Sequence, residues 1–216
     1  RAVRKNDPLF LMKDCVVKDY EEYFKGENQF DYVDTEKFET NTGAEIVIKY
    51  SVSSKKFREA AVGAGNKLNT FVGKNDGVSV VRNGRELELE KSFMTKDTRE
   101  RFIGVEISFD EDCDDLMGVD GKKQSAQNFF KRDIDELASD EGKSTIEYLN
   151  SIDSNLSGEQ VILIKISNSI TNKINTLLGT IRSFRKDTGK KPGSKDSPES
   201  EGTDTINKRP TKTKSD

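Results

Sequence analysis

The chain contains no histidine and no tryptophan. Histidine-based catalysis and histidine metal sites are therefore excluded within it. Cysteine is scarce as well: Cys15 and Cys113 lie far apart and match no CxxC spacing. One disulfide between them is possible, but two free thiols in a reducing cytoplasm is the expectation. No run of 18 or more apolar residues exists, so no transmembrane helix and no membrane partner are expected. Net charge of one sign is also lacking, since 36 basic and 39 acidic residues leave only −3. No basic field draws the whole molecule onto nucleic acid or anionic lipid. Hydrophobic residues are only 32% of the chain against 35% charged, with a mean hydropathy of −0.77. At 216 residues this predicts one domain plus a remainder that is not packed into a core. The opening Arg-Ala-Val-Arg-Lys has neither an initiator Met nor an apolar leader, and reads as the start of a piece of something longer.

What is present divides into four stretches. Residues 187–216 hold three of the four prolines and a single large apolar residue, Ile206. Such a stretch buries too little surface to offset chain entropy of roughly 1–2 kcal/mol per residue, so a disordered tail or linker is expected. Its Lys190, Lys191, Lys208, Arg209, Lys212 and Lys214 suggest nucleic-acid binding, but neighbouring acids offset them and make that partner unlikely from this chain alone. Ahead of it, residues 157–186 carry Leu163, Ile166, Ile170, Ile174, Leu177, Ile181 and Phe184 at spacings of three and four. This is the stripe of one long amphipathic helix. It packs either on the chain's own sheet or, through Ile170, Ile174, Leu177, Ile181 and Phe184, against a second copy in a homodimer. The β-branched run at 161–166 could instead begin as strand.

Residues 44–156 read as the main α+β domain. Stretches 44–52, 78–82, 85–91 and 103–109 have strand character, and Asn83-Gly84 between the second and third is a strong hairpin signal. A small, mostly antiparallel sheet of three or four strands follows. Residues 54–67 predict a helix capped by Ser53 or Ser54 and weakened by Gly63 and Gly65. Residues 1–43 are left as an N-terminal connecting segment. Residues 13–43 and 131–156 carry scattered aromatics and no readable function.

Three motifs could carry chemistry. The acids of Asp110-Glu-Asp-Cys-Asp-Asp115 lack the glycine and the later Glu of a calcium loop and fit the solvated first turn of a short helix. Gly63, Gly65, Gly73 and Gly77, with Lys67 and Lys74, form no Walker or GxGxxG pattern and read as a flexible connection. Gly118-Val-Asp-Gly-Lys-Lys-Gln124 has two glycines that permit unusual backbone angles, followed by Lys122, Lys123 and Gln124 as donors. A helix is expected from Gln124 onward. Lysines at its N-terminus are disfavoured by the dipole unless an anion shares the site, which hints at a phosphate partner.

The runs Gly77-Val-Ser-Val-Val-Arg-Asn-Gly-Arg-Glu-Leu87, Arg99-Glu-Arg-Phe-Ile-Gly-Val-Glu-Ile-Ser-Phe109 and Leu116-Met-Gly-Val through Lys123-Gln124 together resemble one family. They are similar to the stretch that follows the ATP-binding domain in bacterial GHKL ATPases. That superfamily includes the gyrase B subunit, the ninety-kilodalton heat-shock chaperone, histidine kinases and MutL. Asn6-Asp-Pro-Leu-Phe-Leu-Met12 and the helix ending Ile181-Arg-Ser-Phe-Arg185 extend the likeness over roughly residues 1–187. The family has Thr-Asn-Asn where Asp120-Gly121-Lys122 stands, while Lys123 and Gln124 match. The resemblance implies a transducer with a βαβ fold, in which Lys123 contacts the terminal phosphate of ATP in an upstream domain and Lys122 and Gln124 are neighbouring contacts. ATP and Mg²⁺ would be bound mainly by that upstream domain, because the Glu/Asn helix and the Asp-x-Gly-x-Gly stretch are absent from this chain. The alternative is a non-enzymatic α+β interaction or dimerisation module.

Overall fold

A computed structural model describes residues 6–63, 65–155 and 158–188, with side chains at 153–155 and 184–188 excepted. Its centre is a five-stranded sheet in the order β1-β2-β5-β3-β4. The strands are β1 (Phe30–Glu39), β2 (Glu45–Ser53), β3 (Val78–Arg82), β4 (Arg85–Glu90) and β5 (Ile103–Phe109). All neighbours are antiparallel except β3 and β5. That parallel pair is joined through β4 and a short 3₁₀ turn at Thr98–Glu100. The protein is therefore α+β, with four strands where the sequence placed them and a fifth, β1, that it did not. β1 draws residues 30–39 out of the expected connecting segment and into the sheet.

Side-chain alternation explains the two faces. In β2, Ile46, Ile48 and Tyr50 are fully buried, and Ile48 and Tyr50 sit opposite Ile107 and Val105 of β5. Val78 and Val80 of β3 continue this face. The long helix α6 (Gly158–Thr188) packs its stripe into the same core through Ile166, Ile170, Ile174, Leu177 and Ile181. Each such side chain contributes about 1.5–3 kcal/mol by leaving water. Four of the five residues named for a homodimer, Ile170, Ile174, Leu177 and Ile181, are at most 6% exposed inside their own chain. Phe184 lies outside the described side chains. The β-branched start of α6 is helical rather than extended, because helical spacing buries Val161, Leu163, Ile164 and Ile166 together.

Ser51, next to Tyr50, points to the opposite face, where its hydroxyl donates to the Leu9 carbonyl at 2.7 Å. Gly104 lies beside it, and a Cβ there would come within 2.8 Å of the Pro8 carbonyl oxygen and 2.9 Å of the Leu9 Cα. The leading segment thus rests directly on β2 and β5. Phe10 continues into a cluster with Phe30 and Phe71, at ring separations of 4.6 and 5.6 Å. The helix expected over 54–67 ends early as α1 (Lys55–Ala60), and a second helix, α2 (Lys67–Val72), begins where it was expected to stop. Ser54 caps the first by accepting the Phe57 N–H, as expected, and Asn66 caps the second. The Gly63–Gly65 region separates them.

The remaining helices are α3 (Asp114–Met117), α4 (Ile134–Asp140) and α5 (Thr145–Asn155). α4 and α5 form a small second core of Ile134, Ala138, Tyr148 and Ile152 with Val161 and Ile164. Contacts divide the chain between Ile181 and Arg182. Beyond that point only the helical turns to Thr188 are described, and the expected tail lies outside the described residues from 189 onward.

Candidate functional site

The loop that carries Lys122, Lys123 and Gln124 grows out of α3. The acidic run ahead of it is a 3₁₀ turn at Glu111–Cys113 leading into that helix, as its composition suggested. Asp110 caps the turn by accepting the Asp112 N–H at 3.2 Å. Asp114 receives both guanidinium arms of Arg82, at 2.6 and 2.8 Å, which ties α3 to the end of β3. Glu111 accepts the side-chain amide of Asn83, the first residue of the β3–β4 turn. Asn83 and Gly84 both have positive φ, 48° and 75°, which is the backbone an Asn-Gly hairpin turn requires.

Gly118 ends α3 in the left-handed region at φ 66°. It has a second reason to be glycine: a Cβ would lie 2.7–3.0 Å from the side chain and backbone nitrogen of Asn128. The chain then folds back on itself, with Val119 bridged antiparallel to Ala126. The helix expected from Gln124 does not form. The N–H groups that would have begun it are used otherwise: Lys123 N–H donates to the Asp120 carbonyl at 2.8 Å and Gln124 N–H to the Asp120 carboxylate at 2.7 Å. Gln127 and Asn128 return to the carbonyls of Gly118 and Met117 at 3.0 Å each. The two lysines therefore sit on a closed loop, away from any helix N-terminus, and the dipole reasoning for a phosphate partner does not apply to them.

Lys122, Lys123 and Gln124 are all exposed and adjacent at the tip. The unusual backbone angle belongs to Lys123, at φ 55°, rather than to Gly121. Left-handed geometry costs a residue with a Cβ about 1–2 kcal/mol and persists only where surrounding contacts impose it. Asp120 imposes it here through its carbonyl and its carboxylate. Its place in the loop is therefore structural, and with Gln124 N–H bound to it the carboxylate is not directed outward as a free competitor for an anion.

Electrostatically the tip presents two adjacent lysines, with Asp114 near Lys123. Arg82's hydrogen bonds hold the Asp114 carboxyl below its ordinary range, and the nearby charge of Lys123 adds to the effect. Among the described residues no group of His, Cys, Asp or Glu is arranged to hold a metal ion. Cys15 and Cys113 are both free and buried. Burial, followed by the charges of Asp110, Asp112 and Asp114, raises the Cys113 thiol to about 11, so neither thiolate chemistry nor ligation is favoured there.

The glycine-rich stretch from Gly63 to Gly77 is not one loop, because α2 and a 3₁₀ turn at Gly73–Asn75 interrupt it. Lys67 is ion-paired to Asp19, and the first glycines form the turn between α1 and α2. A shallow polar groove between α6 and β1 is spanned by Lys173, which pairs with Asp34 at 2.6 Å. One contact to the loop escaped sequence reasoning. Glu88 of β4 accepts the Ala126 N–H at 2.6 Å. Alternation alone makes Glu88 one of three solvated acids, and nothing local in the sequence marks it out.

No known family pattern, characterised protein or solved structure matches the chain.

Proposed function

We propose that this chain is the transducer part of a GHKL-type ATPase. It couples ATP binding and hydrolysis in a preceding nucleotide domain to a part that follows, and Lys123 contacts the γ-phosphate. The observation that carries the reading is the loop tip. The residue matching the family's phosphate-contacting lysine is exposed, and its backbone is held in a costly conformation by Asp120. Glycine would adopt this backbone at no cost, yet a lysine stands there.

The chemistry follows from charge and position. Phosphoryl transfer demands little covalent work from the protein and much stabilisation of charge on the transferred group. An ammonium aimed from a rigid loop at the γ-phosphate oxygens supplies this without reorganisation. Lys122 and the Gln124 side chain stand beside it as further donors. ATP and Mg²⁺ are held mainly by the preceding domain. The Asp114 carboxylate near Lys123 suits this division, because the loop binds phosphate weakly unless another domain delivers it. Once the γ-phosphate is cleaved and released the contact is gone, and the loop parts from the nucleotide domain. That is the order of events by which such a chain reports hydrolysis onward. The two buried free thiols accord with a reducing, cytoplasmic setting.

The test is single-turnover ATP hydrolysis by the full-length protein carrying this chain, compared with its Lys123→Ala variant. A loss of rate of about tenfold or more, about 1.4 kcal/mol of transition-state stabilisation, is expected. Equal rates would remove the role assigned to Lys123.

A further inference from the structure

We infer that Glu88 is the positioning residue for the Lys123 loop: its carboxylate, on edge strand β4, fixes where the lysine stands relative to the sheet. This rests on the transducer reading above and extends it to a residue outside the matching motif. The loop is internally rigid, closed by Asp120 and by the Val119–Ala126 bridge. A rigid loop still needs an anchor, or it swings as a body about its two ends. Ala126 is 1% exposed and lies two residues beyond Gln124, and Glu88 takes its N–H at 2.6 Å. A charge-assisted bond of this kind is roughly twice as strong as a neutral one.

The register of β4 makes this possible. Pairing with β3 shifts between Val80 and Val81, so Glu88 lies opposite Val80 and Glu86 opposite Val81, with Leu87 extra. Val80 and Val81 point to opposite faces, and the two acids are thereby sent to different partners. Glu86 receives the Ser79 hydroxyl at 2.5 Å and the Asn6 side-chain amide at 2.7 Å, which holds the leading segment. Glu88 is left for the loop. Further along, Ser92 accepts the Lys131 N–H at 2.8 Å and Phe93 stacks on Phe129 at 5.3 Å, so a seam from β4 onward follows the loop's exit. Glu88 is the contact of that seam nearest Lys123. One short strand thus grips both the segment by which the chain begins and the loop that presents the lysine. Their separation is set by two carboxylates.

Two measurements test this. Amide hydrogen exchange at Ala126 in the chain itself reads the anchor without reference to ATP. Glu88→Ala is expected to speed that exchange at least tenfold, Glu88→Asp to speed it less, and Glu88→Gln, which keeps an acceptor, to restore most protection. Single-turnover hydrolysis by the full-length protein then reads the consequence. Glu88→Ala is expected to slow the chemical step about threefold to tenfold with little change in KM for ATP, and to add nothing to Lys123→Ala, because it acts through that lysine. A Glu88→Ala loss that multiplies with that of Lys123→Ala would overturn the inference. So would unchanged hydrolysis in Glu88→Ala and Glu88→Asp where Lys123→Ala is slow, which would leave the transducer reading standing. If Lys123→Ala itself is without effect, both fall. Should Glu88→Ala not fold, the comparison of Glu88→Asp with Glu88→Gln gives the same decision.

Discussion

Lys123 offers an experiment in which backbone and side chain can be separated. Replace it by alanine in one variant and by glycine in another. Both remove the ammonium and its attraction to Asp114, so they share whatever the side chain contributes. The lysine is exposed, and the alanine variant should match the parent within about 0.5 kcal/mol. In the folded state the glycine variant differs in that φ 55° costs it nothing. Relief of left-handed strain is about 1–2 kcal/mol. Against this stands the greater freedom of glycine in the unfolded chain, about 0.4–1 kcal/mol. The balance is about 0.5–1 kcal/mol in favour of Lys123→Gly over Lys123→Ala, or about 1–4 °C in Tm for a chain of this size. Urea unfolding at pH 7, with midpoints compared at a common slope, resolves that difference. If Lys123→Gly is no more stable than Lys123→Ala, the tip is not held in the left-handed region and the reasoning from strain to function fails. A stabilised protein that has lost hydrolysis would instead show that the strain is retained for the lysine's sake.

Three further outcomes follow from the packing. Gly104→Ala should destabilise the chain by about 1–3 kcal/mol, since its Cβ meets the backbone of Pro8 and Leu9, and chemical denaturation reads this directly. Ile170→Ala, at a position with no exposure, should cost about 2–5 kcal/mol while leaving the mass by sedimentation unchanged; a change in mass would mean that the stripe serves a second copy after all. Cys113 should resist a thiol reagent in the native state and react on unfolding. Its thiol titrates at about 11 in the folded chain against an ordinary value of 9.0, so the folded form keeps a proton that the unfolded form loses. The stability this contributes is complete below about pH 9 and declines as pH rises towards 11, and Cys113→Ala should flatten that decline in an alkaline melting series.

How much of this was legible in the sequence depended on whether the signal was local. β2 to β5 announced themselves by alternating apolar residues, and Asn83-Gly84 named its own turn. The stripe of α6 likewise fixed the helix, but periodicity states only that a face is buried and never against what. β1 was hidden because it is an edge strand whose central residues, Asp34 to Lys37, face polar partners, with Lys173 bonded to Asp34 and Ser169 to Glu36. The loop misled most. Gln124 to Phe130 has a composition a helix tolerates, and bonds from Asp120, from the returning Gly118 and Met117 carbonyls and from the distant Glu88 hold it open. The glycine at Gly121 drew attention to unusual backbone angles that Lys123 in fact adopts. Lys122, Lys123 and Gln124 did come together at one exposed tip, but Glu88, 38 residues from Ala126, had no local mark.

The central claim is a contact between one ammonium and one phosphate, and lysine acylation in the full-length protein tests it most directly. Lys123 should be modified readily with ADP bound and be protected by a non-hydrolysable ATP analogue, while the neighbouring exposed Lys122 changes less. Equal modification of Lys123 under both nucleotides would contradict the account.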